Sequence, residues 1–211
     1  VYAQEAYHLK DSIRYFLKQK PKFTGYFDGR GSLADGRPNK IFGIVGALSY
    51  GGRLDLGLGF YQTYNEPRYL VFKNKGLPFQ DTISRQISFA YTSFRAEYYF
   101  YVSKKWELSV PLYIGYGRGV LTEYKADRQT FLRDYTVNIV PFEAGFNMVY
   151  LIKDWVGLGA GVGYRLNLAH WRRFTYSKNF SDLYFSYGVV IKYGTLYRKF
   201  RNKLKSKPKV N

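Results

Sequence analysis

The chain of 211 residues has no cysteine, one methionine, two histidines and only 15 acidic side chains against 33 lysines and arginines. Without cysteine there are no disulfides, no thiolate metal site and no cysteine nucleophile. Exported proteins also often lack cysteine, so compartment is not decided by it. No run of 18 apolar residues occurs anywhere, which excludes a transmembrane helix. A mean hydropathy of −0.35 is no argument against a membrane, because half of every strand in a transmembrane barrel faces the lumen and hides the signal. What the chain has instead is aromatic residues, 20% of the total with 23 Tyr and 17 Phe, a content suited to strands and membrane interfaces. Its length fits one domain, or a barrel with small appendages.

The organising stretch is 40–64, KIFGIVGALSYGGRLDLGLGFYQTY. Leu54, Leu56, Leu58 and Phe60 alternate with Arg53, Asp55, Gly57 and Gly59, the strand period of two. On the other side of Gly51-Gly52, a tight-hairpin signal, Phe42, Ile44, Leu48 and Tyr50 carry the bulk. Before it, Ala6, Leu9, Ile13, Phe16 and Leu17 recur at helical spacing and predict one amphipathic helix of about four turns, ended by Pro21. Residues 23–33 read as a first strand. After it, alternation predicts strands at about 87–103, 106–117, 140–150, 156–166 and 183–193, with long loops at 65–86, 119–134 and 167–182. The count is eight strands, joined alternately by long connections and tight turns.

Periodicity alone does not say which face points outward, since a soluble barrel would bury the apolar face. The polar face here is mostly glycine and small residues, as a cramped lumen requires, rather than the Lys, Glu and Thr of a solvated one. Aromatics also cap the apolar stripes. Trp106 and Tyr116 lie ten residues apart, roughly 25 Å along a tilted strand and the height of the apolar band in membrane barrels. Tyr50, Tyr150, Trp155 and Tyr164 join them as expected lipid-interface aromatics. The last strand reads Ser186-x-Gly188-x-x-Ile191-x-Tyr193.

On these residues, 23–196 resembles a small eight-stranded outer-membrane β-barrel of Gram-negative bacteria, of the general OmpA/OmpX type. The terminal-strand pattern is similar to the signal that the barrel-assembly machinery reads. The Val1-Tyr2-Ala3-Gln4 opening resembles the end of a secretory signal peptide, and with the abundance of tyrosine it is similar to exported Bacteroidota proteins. The expected architecture is all-β: an antiparallel up-and-down transmembrane barrel (23–196), preceded by a segment with an amphipathic helix (1–22) and followed by a basic tail (197–211). The resemblance implies the outer membrane, with both termini in the periplasm. One departure stands out, since most such barrels end on an aromatic at the last strand and this chain runs fifteen residues past Leu196.

The lumen is assigned Arg30, Arg53, Arg95, Arg165 and Lys192 against Asp28, Asp55, Glu97, Glu107 and Glu143, a balanced structural ion-pair network, because an unpaired buried charge is costly. The formal excess of +18 then lies outside it, net +6 in the far loops and net +12 in the helix, short turns and tail. Arg198, Lys199, Arg201, Lys203, Lys205, Lys207 and Lys209 make the tail a site for phosphate or for an acidic partner, extended because like charges repel. Arg172 and Arg173 are candidates for lipopolysaccharide phosphates. The expected partners are outer-membrane lipid, lipopolysaccharide and other subunits of an envelope complex, not nucleic acid. No cofactor or metal is expected, and no catalytic residue. The competing readings are an enzyme acting on lipid A, in which His170 would work with a serine and a carboxylate, and a narrow channel. His and Ser do not lie two apart on any strand, and an eight-stranded interior is just filled by side chains.

Overall fold

Alternating bulk converts most of the chain between Lys22 and Ile191 into strands. The structure is a computed structural model that describes residues 9–34, 37–65, 68–73, 81–125, 127, 129–168 and 181–205. Helix α1 (Leu9–Leu17) is followed by β1 (Lys22–Ala34), β2 (Arg37–Tyr50), β3 (Leu54–Asn65), β4 (Tyr69–Lys73), β5 (Asp81–Val102) and β6 (Trp106–Lys125). Then come β7 (Phe131–Ile139), β8 (Pro141–Lys153), β9 (Val156–Asn167), β10 (Asp182–Ile191) and helix α2 (Tyr193–Lys205).

Eight of these strands close on themselves, every neighbour antiparallel: β1–β2, β2–β3, β3–β5, β5–β6, β6–β8, β8–β9, β9–β10 and β10–β1. β7 continues the line of β8 along the outer half of β6. The break falls at Pro141, which has no N–H to give the ladder, while the Val140 amide donates to Asn167 Oδ1 at 2.9 Å. Following the pairings from Lys22 through Ser49, Asp55, Glu97, Pro111, Gly145, Gly163 and Tyr184 returns to Ser32, a stagger of ten residues. For eight strands that stagger corresponds to a tilt of about 40°.

Tight turns at 51–53, 103–105 and 154–155 share one end of the barrel with the start of β1 and the end of β10. Gly51 and Gly52, with φ of 60° and 65°, supply the two left-handed residues that a two-residue hairpin of this twist needs.

The wall has two chemistries. Ile44, Leu58, Phe60, Ile114, Leu158 and Phe185 all project outward with more than half of their surface exposed, whereas Arg30 and Glu143 are completely buried inside. A closed barrel wrapped in exposed aliphatic and aromatic side chains has hydrocarbon as its matching solvent.

Three expectations are corrected. The stretch 65–86 is not all loop, since β4 and the outer end of β5 pair there, and β6 and β7 extend through the region expected to connect them. The strands β4 to β7 thus stand as a four-stranded fin beyond the barrel at the end away from the termini. Its polar composition suggested a loop because a sheet above the membrane is solvated, yet Ile87, Phe89, Leu121, Val137 and Ile139 still give it a buried seam. Helix α1 covers Leu9–Leu17 among the described residues, and the earlier part of the stretch expected to be helical lies outside them. The tail expected to be extended begins as a 13-residue helix, because Tyr193, Leu196, Tyr197 and Phe200 repeat at i, i+3, i+4, i+7 and the like charges are distributed over the other faces.

In the fin, Glu123 bridges Arg85 Nη2 at 2.9 Å and Arg133 Nε at 2.8 Å. Burial alone would raise its pKa, but the hydrogen bonds from Arg133 and Arg85 outweigh it and set the carboxyl below its ordinary value. A depressed folded pKa contributes stability that is complete above the unfolded value, about 4.3, and disappears as pH falls through the folded one. Amide protection at 121–124 and 131–135, measured relative to the intrinsic exchange rate at each pH, is therefore expected to be unchanged from pH 8 to 5 and to fall only below about pH 4; hydrogen-exchange mass spectrometry across that range checks it.

Candidate lumenal ion network and terminal helices

Inward parity brings the charged residues of seven strands into one interior. Nearest the fin, Arg30 of β1 donates from Nε and Nη2 to Asp28 Oδ2 at 2.9 and 2.8 Å, from Nη2 to the Tyr61 hydroxyl at 2.9 Å, and from Nη1 to Glu143 of β8. Glu143 also accepts from Arg165 Nε at 2.6 Å and from the Tyr91 hydroxyl at 2.7 Å. Arg165 faces Asp182 at 3.8 Å. The Arg30 guanidinium lies over the rings of Tyr61, Tyr113 and Tyr184 at 4.2, 4.6 and 4.9 Å, so cation–π contacts surround a charge already hydrogen-bonded in its plane. Glycines make the space: a Cβ at Gly43 would sit 2.3 Å from the Tyr61 ring.

Midway down, Arg95 pairs with Glu97, which accepts from Ser109 Oγ at 2.7 Å, Asn147 Nδ2 at 3.0 Å and the Tyr99 hydroxyl at 3.0 Å. Asp55 accepts from the hydroxyls of Tyr26 and Tyr99. At the mouth beside the termini, Lys192 pairs with Glu107. Beside Arg95 and Asn147 there is a cavity of about 40 Å³, and the mouth opens into one of about 210 Å³.

Nine of the ten residues expected in the lumen come together there. Arg53 does not: it sits in the β2–β3 turn, where Nη1 donates to the carbonyls of Tyr99 and Phe100, both at 3.1 Å. The turn interrupts the parity that assigned it inward. Asp182 was missed, so among the described residues Arg30, Arg95, Arg165 and Lys192 face six carboxylates. Tyrosine hydroxyls make up the difference as donors, a role that alternation did not assign. Tyr91 and Tyr99 share the parity of Arg95 and Glu97 on β5, Tyr113 that of Glu107 on β6, and that was the available signal. Chemically the arrangement is a set of carboxylates packed around fixed cations, with both Asp182 oxygens and Arg95 Nε and Nη1 outside its hydrogen bonds. Ser109 donates to Glu97 with Arg95 alongside, and among the described residues no histidine accompanies it.

Of the interface aromatics, Trp106 and Tyr150 pack against each other at the end with the termini, ring centroids 4.9 Å apart and planes tilted by 57°. Tyr50 and Trp155 are half-buried at that same end, and Tyr116 and Tyr164 are exposed toward the other. His170, Arg172 and Arg173 lie outside the described residues, as do Lys207 and Lys209 and the side chains of Lys203 and Lys205. Arg198, Lys199 and Arg201 lie on α2, where Lys199 Nζ meets Asp154 Oδ2 at 2.7 Å. That hydrogen bond holds the Asp154 carboxyl below the usual range.

No family model matches the chain, and no curated protein does. Solved structures do. Neisserial surface protein A shares 13% identity at a TM-score of 0.55, the match covering 81% of this chain and 96% of that one. Ail, the attachment invasion locus protein of Yersinia pestis, shares 11% identity at a TM-score of 0.47 over 82% of this chain and 99% of its own. The protein thus has the fold of the small eight-stranded outer-membrane β-barrels.

Proposed function

We propose that the protein is an integral outer-membrane β-barrel without catalytic activity, an accessory subunit of an envelope complex of the barrel-assembly or protein-secretion kind. The observation that carries this reading is the contrast between a lumen filled by interlocked ion pairs and an end that displays two amphipathic helices. A filled lumen has little to offer a substrate or a solute. The helices sit where the chain enters and leaves the wall, the side that barrels of this architecture turn to the periplasm, and the charge there is strongly positive. In this reading α1 and the basic segment meet other subunits, and the far loops meet lipopolysaccharide. Gentle detergent extraction of the tagged full chain is expected to bring down stoichiometric envelope proteins, fewer of them when residues 1–20 are deleted. A monomer with no stoichiometric companion would sink the subunit role.

A further inference from the structure

Helix α2 carries two chemistries on 13 residues, about 20 Å of helix. Tyr197 and Phe200 are 68% and 59% exposed on the row that also holds Tyr193 and Leu196. Arg198, Lys199 and Arg201 occupy the flanks and back, and the helix contains no acidic residue. Side chains of that size are not left bare in water over a whole helix row without an apolar surface to take them.

The position of the helix identifies that surface. Tyr193 continues the outward parity of β10, after Leu183, Phe185, Tyr187, Val189 and Ile191. Its ring packs 5.8 Å from that of Phe23, itself 52% exposed on the outer wall, and covers Gly25, where a Cβ would lie 2.7 Å from the Tyr193 ring. The first aromatic of α2 is therefore part of the lipid-facing band, and the row is continuous from barrel wall to helix. Lys192 points the other way, into the mouth, to Glu107. The backbone at the junction is fixed: Lys192 N donates to Trp155 O at 2.9 Å, and a Cβ on Gly194 would lie 3.2 Å from Lys22 Cβ. Near it, the Lys199–Asp154 pair ties the second turn to the β8–β9 turn.

We infer that α2 is a membrane-surface helix, which lies in the leaflet at the end of the barrel with the termini. Its aromatic row enters the acyl boundary, and Arg198 and Arg201 reach the anionic phosphates of the lipid headgroups. An amphipathic helix with aromatics on one face and basic residues on the other binds such a boundary by the sum of buried apolar area and attraction to anionic lipid. Long Arg and Lys stems next to the apolar row keep their charges at phosphate level while their methylenes lie lower. The inference rests on the wall facing lipid, not on the subunit role, and it narrows that role: with α2 held by lipid, α1 rather than the basic segment is the part left for a protein neighbour.

The cysteine-free chain allows a direct test. Single variants Phe200→Cys, Tyr197→Cys, Arg198→Cys and, on the wall, Leu58→Cys are spin-labelled in the full chain and reconstituted in discs of zwitterionic lipid with or without phosphatidylglycerol. Collision with oxygen against a water-soluble nickel chelate reports depth. Labels at 58, 197 and 200 are expected to favour oxygen and the label at 198 to favour nickel. Removing phosphatidylglycerol, or adding Arg198→Glu with Arg201→Glu, is expected to move the label at 200 several-fold toward nickel. A label at 200 that favours nickel in every disc while 58 favours oxygen overturns the inference alone. Immersion insensitive to headgroup charge and to the Glu substitutions overturns the phosphate contact. A label at 58 that favours nickel overturns the membrane reading itself. A label at 200 that becomes sheltered only when envelope extract is added overturns lipid in favour of a protein partner.

Discussion

Replacing Glu143 with alanine is expected to lower the unfolding free energy of the barrel by about 3–5 kcal/mol, the largest loss from any single truncation in the lumen. Two guanidinium groups, Arg30 and Arg165, converge on this one carboxylate, and all three side chains are essentially without solvent access. Removing it leaves two cations facing each other with Asp28 and Asp182 as the nearest acids, the latter 3.8 Å from Arg165. The Tyr91 hydroxyl loses its acceptor as well. Glu143→Gln, which keeps shape and one acceptor, should cost less, and Tyr91→Phe only about 1 kcal/mol, because a neutral hydrogen bond is lost with little charge left exposed. Guanidinium titration in lipid vesicles, read as the fraction of barrel that keeps its compact gel mobility without heating, orders the three. An alanine variant within about 1 kcal/mol of the parent would mean that water solvates the lumen and the network holds nothing together.

The same cluster shows what could be read from residues alone. A strand period of two survives wherever one face is pressed against lipid and the other against packed side chains, so the eight spanning strands and the inward parity of Arg30, Arg95, Glu97, Glu143 and Arg165 followed from alternation. Parity fails where backbone leaves the ladder. Arg53 lies in the Gly51–Arg53 turn, so its side chain serves two carbonyls at the rim. Alternation assigned the inward face its glycines and ion pairs, but it says nothing about what a tyrosine hydroxyl bonds. Six tyrosines, Tyr26, Tyr61, Tyr91, Tyr99, Tyr113 and Tyr184, are interior. Only pairing across the barrel shows that glycines opposite make room for them. The fin escaped notice because a solvated sheet pairs through its backbone, and backbone hydrogen bonds leave no mark on composition. In the tail, seven basic residues between 198 and 209 drew attention to repulsion. The helical spacing of Tyr193, Leu196, Tyr197 and Phe200 was present in the same segment and carried the stronger consequence.

Leu58→Arg is the complementary experiment, placed on the wall instead of in the lumen. Leu58 is 63% exposed in the middle of β3, paired with Gly46 of β2 and Phe94 of β5 about halfway between the two ends of the strand. On an exposed site in water an Arg costs next to nothing, usually within about 0.5 kcal/mol. At the midplane of a bilayer the same change costs about 2–4 kcal/mol, and near the interfaces about 0–1. The predicted signature is therefore a gradient: a large loss for Leu58→Arg in vesicles, a small one for Tyr64→Arg at the end of the same strand, and little difference between them in a short-chain detergent that lets the guanidinium reach water. Equal, small losses at both positions in vesicles would show that depth has no meaning for this wall. The outward Leu, Ile and Phe side chains would then need some other cover, and the aromatic row of α2, which continues that wall, would need it too.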